Sequence, residues 1–329
     1  MDEMPRPDAL EKLLTRADKI CVANSADLPE TLFKLFGAGS SKDNDLPLGA
    51  VSLLGSGGKP EEYCWALATP VHLVADRDSL RLHGPGQLQI THDEATRLVG
   101  LFNTHFKQAG LNLVNVDPEM WYLQLSNCPK ITTTSVESVV GRDIAAFLPD
   151  GPDSKAWISI LNEIQMLFFQ SEVNQKRLAE GKAVISGLWL SGFGRLPEIN
   201  SNIDSIYGSH PLVKGLSMIA KVSHTSSLEN FHDITSTKGI VVNLHTGFLA
   251  SKLAIDTREW EAVLHSVNEH LKRLIETILS DTNNALLIMD CEGSAYSTDK
   301  KKMQRRFWKK NKGLDSCYKR GGITRTHSV

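Results

Sequence analysis

Three apolar runs, VISGLWL (184–190), GIVVNL (239–244) and ALLIMD (285–290), do most to limit what this chain can fold into. None alternates polar with apolar residues, so each predicts a strand covered on both faces. Helical patterns separate them, one from Pro211 to Ala220 and one from Thr257 to Ser280. Apolar strands alternating with helices predict an α/β fold with a mainly parallel sheet. The chain has 329 residues, 41% of them hydrophobic and 22% charged, which is a globular composition long enough for two domains.

A long helix is expected ahead of the first run, starting near Ser154 and ending before Gly181. Trp157, Ile160, Leu161, Ile164, Leu167 and Phe168 form its apolar stripe, and Gly181 stands where a left-handed cap is favoured. Residues 63–125 have a different pattern, two hairpins around one helix, and predict a small α+β unit. Thr91 and Glu94 have the spacing of a capping box at the start of that helix, and Asp256 and Glu259 resemble a second such arrangement. Residues 37–59, rich in glycine, read as a linker with one apolar segment.

Most motifs that carry chemistry fail on inspection. Gly55-Ser-Gly-Gly-Lys59 continues into Pro60 where a phosphate loop needs Ser or Thr, and Gly192-x-Gly194 lacks the third glycine of a dinucleotide turn. His265 and His270 lie five apart on a helix and point away from each other. The five cysteines are odd in number, widely spaced and free of any C-x-x-C pair, which predicts reduced thiols, no zinc site and a cytoplasmic protein. No leader-like N-terminus and no apolar stretch of membrane-spanning length is visible.

The junction after the long helix is the best candidate pocket. Trp189, Gly192 and Gly194 stand at the end of an apolar strand, near Asn174, Arg177 and Arg195 as donors to an anion. The same residues also suit a packed corner in which glycines permit close approach.

Residues 161–197, LNEIQMLFFQSEVNQKRLAEGKAVISGLWLSGFGRLP, resemble a segment of the regulatory protein RpfE-type family. WALATPVHLVADRDSLRLHG, ITHDEATRLVGLFNTHF, MWYLQL and VVGRDIAAFLPDGPD resemble the same family in the same order. The segment is similar, more distantly, to archaeal-type cofactor-independent phosphoglycerate mutases of the alkaline phosphatase superfamily. The resemblance implies a discontinuous α/β core of residues 1–60 and 151–298, interrupted by an α+β insert at 61–150 and followed by a tail at 299–329. This chain departs from the family in having Ser171-Glu172 where the family has His-Pro. The mutases hold two divalent ions on several strand-end carboxylates and histidines, and only Asp290 matches such a position here. The resemblance therefore implies a non-catalytic or weakly active protein without a metal or other cofactor, with a regulatory role and a small phosphorylated ligand or a protein partner. The alternative is a divergent metal-dependent phosphate-transfer enzyme using Asp290 with His245 or Cys291.

Charge is distributed unevenly. Residues 299–329 hold eleven Lys and Arg against two Asp, so the tail is about +9 and the rest of the chain about −11, against a total of −2. Lys301, Arg305, Arg306, Lys309 and Lys310, interleaved with Phe307, Trp308 and Tyr318, suit a weak anionic partner such as RNA or a membrane surface. They equally suit a solvated end that packs Phe307 and Trp308 onto the acidic body.

Overall fold

A computed structural model describes residues 6–21, 27–38, 45–76, 79–228, 239–248, 257–281, 283–290, 294–311 and 313. The chain forms two compact units, one of residues 1–28, 229–238 and 256–329, the other of residues 29–228 and 239–255. The boundaries expected at 60/61, 150/151 and 298/299 fall inside these units.

The first unit contains α1 (Asp8–Arg16) and β1 (Asp18–Cys21); its remaining elements are named below in chain order. The second opens with α2 (Leu28–Leu35) and α3 (Leu48–Gly55), followed by the hairpin of β2 (Cys64–Asp76) and β3 (Ser79–His83). Next come α4 (His92–His105) and the hairpin of β4 (Asn112–Asp117) and β5 (Met120–Leu125), so residues 63–125 fold as two hairpins around one helix, as expected. The Thr91–Glu94 capping box forms, with each side chain bonding the other residue's backbone N–H. The corresponding Asp256–Glu259 pair lies outside the described residues and side chains.

After α5 (Val136–Val139) come α6 (Ser154–Phe169), α7 (Glu172–Ala179), β6 (Gly187–Gly194), β7 (Ile203–Tyr207), α8 (Pro211–Ala220), β8 (Ser223–Thr225) and β9 (Ile240–Asn243). The expected single helix over 154–180 is thus two. Ser171 breaks it: its Oγ donates to the Phe168 carbonyl at 2.6 Å and accepts from the Asn174 amide at 3.2 Å, ending one helix and capping the next. Gly181 takes a left-handed φ of 69° just past α7, the capping role predicted for it.

The sheet is where expectation and structure differ most. Five strands run β3-β2-β5-β4 with β6 on β2, and every pairing is antiparallel. Parallel pairing occurs in the three-stranded sheet β8-β7-β9. Run 184–190 supplies the first half of β6, which is buried along nearly its whole length under α3 and α6, as a strand covered on both faces must be. Runs 239–244 and 285–290 do not meet that expectation: β9 and β10 have no buried residue, and Ile240 and Leu287 are about half exposed. Strand direction also differs from expectation, because apolar content carries no information about the direction of a strand's neighbour. The supposed linker is also a core element: α3 is buried almost all round, as a helix apolar on every side must be. It packs on α8 so closely that a Cβ on Gly55 would lie 1.9 Å from the Pro211 carbonyl oxygen. A Cβ on Gly215 would come equally close, 1.9 Å, to that of Val51.

Cys64 and Cys128 form a disulfide, which overturns the expectation of reduced thiols for this pair and removes the support that expectation lent to a cytoplasmic location. The two are 64 residues apart, and β2–β5 pairing brings them together, with Cys64 opposite Leu125. No helix among the described residues is long and apolar enough to cross a membrane.

The first unit is completed by α9 (Thr257–Ser280), β10 (Ala285–Met289), β11 (Ser294–Asp299) and α10 (Lys300–Arg305). Its sheet, β1-β11-β10, is antiparallel, so run 285–290 forms one arm of a hairpin. Leu13, Leu271, Ile275 and Met303 bury together at its centre. α1 has no side-chain cap of its own; Asn268 of α9 accepts from the Ala9 and Leu10 amides at 2.9 and 3.3 Å.

Candidate functional site

The aromatic junction is assembled around β6. Gly192 has φ +69°, and a Cβ there would stand 2.3 Å from that of Leu48; one on Gly194 would stand 2.5 Å from that of Pro47. Glycine at these two positions therefore lets the start of α3 rest on the strand end. Trp189 is buried among Val71, Leu82, Val136 and Val139, and its Nε1 donates to the Thr134 carbonyl at 2.8 Å. Phe193 packs edge-on against Trp157 of α6, ring centres 4.8 Å apart.

Polar groups at the junction bind other parts of the chain. Asn174 donates to the Phe168 and Ile185 carbonyls and accepts from the Ile185 amide, each at 2.8 Å, joining α6, α7 and the approach to β6. Arg177 is 1% exposed. Its Nη1 meets both Glu94 carboxylate oxygens at 3.0 and 2.9 Å, Nε donates to the Ala183 carbonyl at 2.7 Å, and Nη2 donates to that of Leu88. Burial works to raise the Glu94 pKa, but the Thr91 amide and the Arg177 guanidinium outweigh it and hold the carboxyl below its ordinary value. Arg195 is exposed and donates to the Glu62 and Ser126 carbonyls, both at 2.8 Å.

Asp45, which sequence reasoning passed over, is the electrostatic centre of the junction. Its carboxylate accepts from the Gly192 and Phe193 amides at 3.1 Å each, from the Thr133 amide at 3.3 Å and from the Thr133 hydroxyl. Burial pushes its pKa up, and those four donors pull against the rise. Nothing local in KDND distinguishes it from Asp43; its partners lie about 90 and 150 residues further along the chain.

The remnant ligand candidate has a different setting from the one predicted. Asp290 ends β10 at a hairpin turn: its Oδ1 accepts from the Ser294 amide at 2.9 Å, and its own amide donates to the Ser294 carbonyl at 3.1 Å. Cys291 lies outside the described residues. His245 follows β9 in the second unit, on the surface, with partial desolvation lowering its pKa. Among the described residues no three His, Cys, Asp or Glu side chains are grouped to hold a metal ion.

The described start of the basic segment, residues 299–311, is tied to the fold. Asp299 caps α10 by accepting from the Lys302 amide at 2.8 Å. Asp18 receives Lys302 at 2.9 Å and Arg306 at 2.5 Å, and hydrogen bonds from these two cations lower its pKa. Met303, and neither of the aromatic residues, packs into the core; Phe307 and Trp308 remain 73% and 65% exposed, in an edge-to-face pair 5.6 Å apart. Lys301, Arg305, Lys309 and Lys310 are exposed, and no ion pair engages them among the described residues. Tyr318 lies outside those residues.

No protein family matches the chain, and no curated protein is significantly similar to it. Solved structures show a distant likeness, two of them as follows. One is the cofactor-independent phosphoglycerate mutase from Thermoplasma acidophilum DSM 1728, at 14% identity and a TM-score of 0.39, over 89% of this chain and 82% of that one. The other is the PH0037 protein from Pyrococcus horikoshii, at 12% identity and a TM-score of 0.47, over 89% of this chain and 80% of that one.

Proposed function

We propose that this is a non-catalytic interaction protein of regulatory type that carries no divalent metal. The observation supporting this reading is the engagement of Arg177. A phosphate clamp needs guanidinium N–H groups open to an incoming oxyanion, whereas this side chain makes four hydrogen bonds to its own chain from a position 1% exposed. Asn174 and Asp45 are engaged in the same way, so the polar groups of the junction act as struts between α3, α7, β6 and the loop at Thr133. Of the six residues expected to line a pocket, Arg195 alone is exposed, and a small phosphorylated ligand at this end of β6 would meet that side chain first.

Phosphate-ester transfer is among the slowest uncatalysed reactions, and a metal or arginine clamp has to supply several kcal/mol of barrier lowering or more. The decisive measurement is metal content together with turnover. Purified full-length protein is expected to hold no stoichiometric manganese or zinc and to leave phosphoglycerate unchanged after either metal is added. About two tightly bound equivalents, with turnover that Asp290→Ala abolishes, would establish the phosphate-transfer reading instead.

A further inference from the structure

The described chain of the first unit ends on a turn that is fixed in place yet leaves its largest apolar groups in water. Met303 anchors α10 in the core. Arg306 binds Asp18 and donates to the Arg16 carbonyl at 2.7 Å, while Arg16 donates to the Met303 and Phe307 carbonyls at 3.4 and 3.3 Å. Held this way, the turn presents Phe307 and Trp308 outward, 73% and 65% exposed. Large rings displayed on an ordered turn mark a contact surface.

The charges around the rings give the sign of the partner. Lys301 and Arg305, four apart on α10, share a helix face, and Lys309 and Lys310 follow the rings. These four are exposed without an ion pair among the described residues, while Lys302 and Arg306 on the inner side are engaged by Asp18. The segment therefore separates its cations into two that hold the fold and four that are open to an anion.

We propose that residues 301–310 bind single-stranded nucleic acid, with phosphates on Lys301, Arg305, Lys309 and Lys310 and bases stacked on Phe307 and Trp308. Unpaired bases have free π-faces to offer, and aromatic side chains among cations are the surface that takes them. An anionic membrane satisfies the charges but not the shape. An interfacial helix needs an apolar face to insert, and the apolar residue of α10, Met303, is turned into the core. A duplex satisfies the charges but keeps its bases stacked on one another.

The proposal names a partner for the interaction role above. That role is tested by metal content and turnover, so either can fail without the other.

The test measures anisotropy of a labelled oligouridylate with the full chain. Affinity is expected to fall about fiftyfold between about 50 and about 200 mM salt if four phosphates are neutralised, and about sevenfold in Lys301→Gln/Arg305→Gln, which leaves two. Phe307→Ala and Trp308→Ala are each expected to weaken binding about tenfold, within the range for one base on one ring. Both rings are exposed, so an unchanged circular dichroism spectrum should accompany the loss. Four results would overturn the proposal: no binding at the lower salt; ring variants that bind like the parent; preference for a duplex or for phosphatidylserine vesicles; or binding abolished by removing residues 314–329 while both ring variants leave it intact. Truncation after Thr298 is unsuitable because it would also delete Met303 from the core.

Discussion

Arg177 shows how one side chain can look like a ligand donor in sequence and be a strut in the fold. Its position on a helix facing an apolar strand was legible; its partner Glu94, 83 residues earlier, was recognised for capping α4 and not for this pairing. Replacing Arg177 by Met would take the cation from the partly buried Glu94 carboxylate, which keeps its bonds from Thr91, and orphan the Leu88 and Ala183 carbonyls, and should cost about 3–5 kcal/mol at neutral pH. The pH dependence has a definite sign. The folded carboxyl titrates below its ordinary value of 4.5, so the pair stabilises fully above 4.5 and its contribution disappears as pH falls through the lower folded value. Urea titrations should therefore show the gap between parent and Arg177→Met narrowing in acid; a gap constant with pH would mean the ion pair contributes little.

Among the elements, helix starts were legible where capping is local and illegible where it is borrowed. Thr91–Glu94 was read from its spacing, and Pro211 marked the start of α8. The cap of α8 itself is unusual: the Nδ1 of His210 accepts from the Leu212 amide at 3.2 Å, which requires that nitrogen to be unprotonated. Burial lowers the His210 pKa below 6.5, so its stabilisation is present above 6.5 and is lost as pH falls through the folded value. His210→Ala should cost about 1 kcal/mol near neutral pH, with the deficit shrinking in acid, while His210→Asn should keep the cap without the pH dependence. Thermal denaturation across pH 5 to about 8 reads both effects. α1 illustrates the borrowed case, since its first-turn amides depend on Asn268, about 260 residues away. The split between α6 and α7 at Ser171 was available in principle, because serine three residues before Asn174 suits an N-cap, but the continuing apolar stripe outweighed it.

For the molecule as a whole, the two units have separate cores, one around Leu13 and Met303 and the other around Phe102, Trp121 and Phe168. The disulfide lies wholly in the second, closing a span of 64 residues, and in the chain-entropy view it stabilises that unit by about 4 kcal/mol. Thermal unfolding with and without reductant should move the transition of the second unit and leave the first in place; a common shift would show that the two unfold as one. The sequence alone determined what depends on near neighbours: the hairpins around α4, its capping box, the burial of β6 and the basic character of the segment after Asp299. Tertiary structure alone decided the direction of strands beside β2, the Cys64–Cys128 bond, the role of Asp45 and the inward turn of Met303. Each of these depends on groups far apart in the chain that meet only after folding, and residue periodicity encodes which face is covered without encoding what covers it.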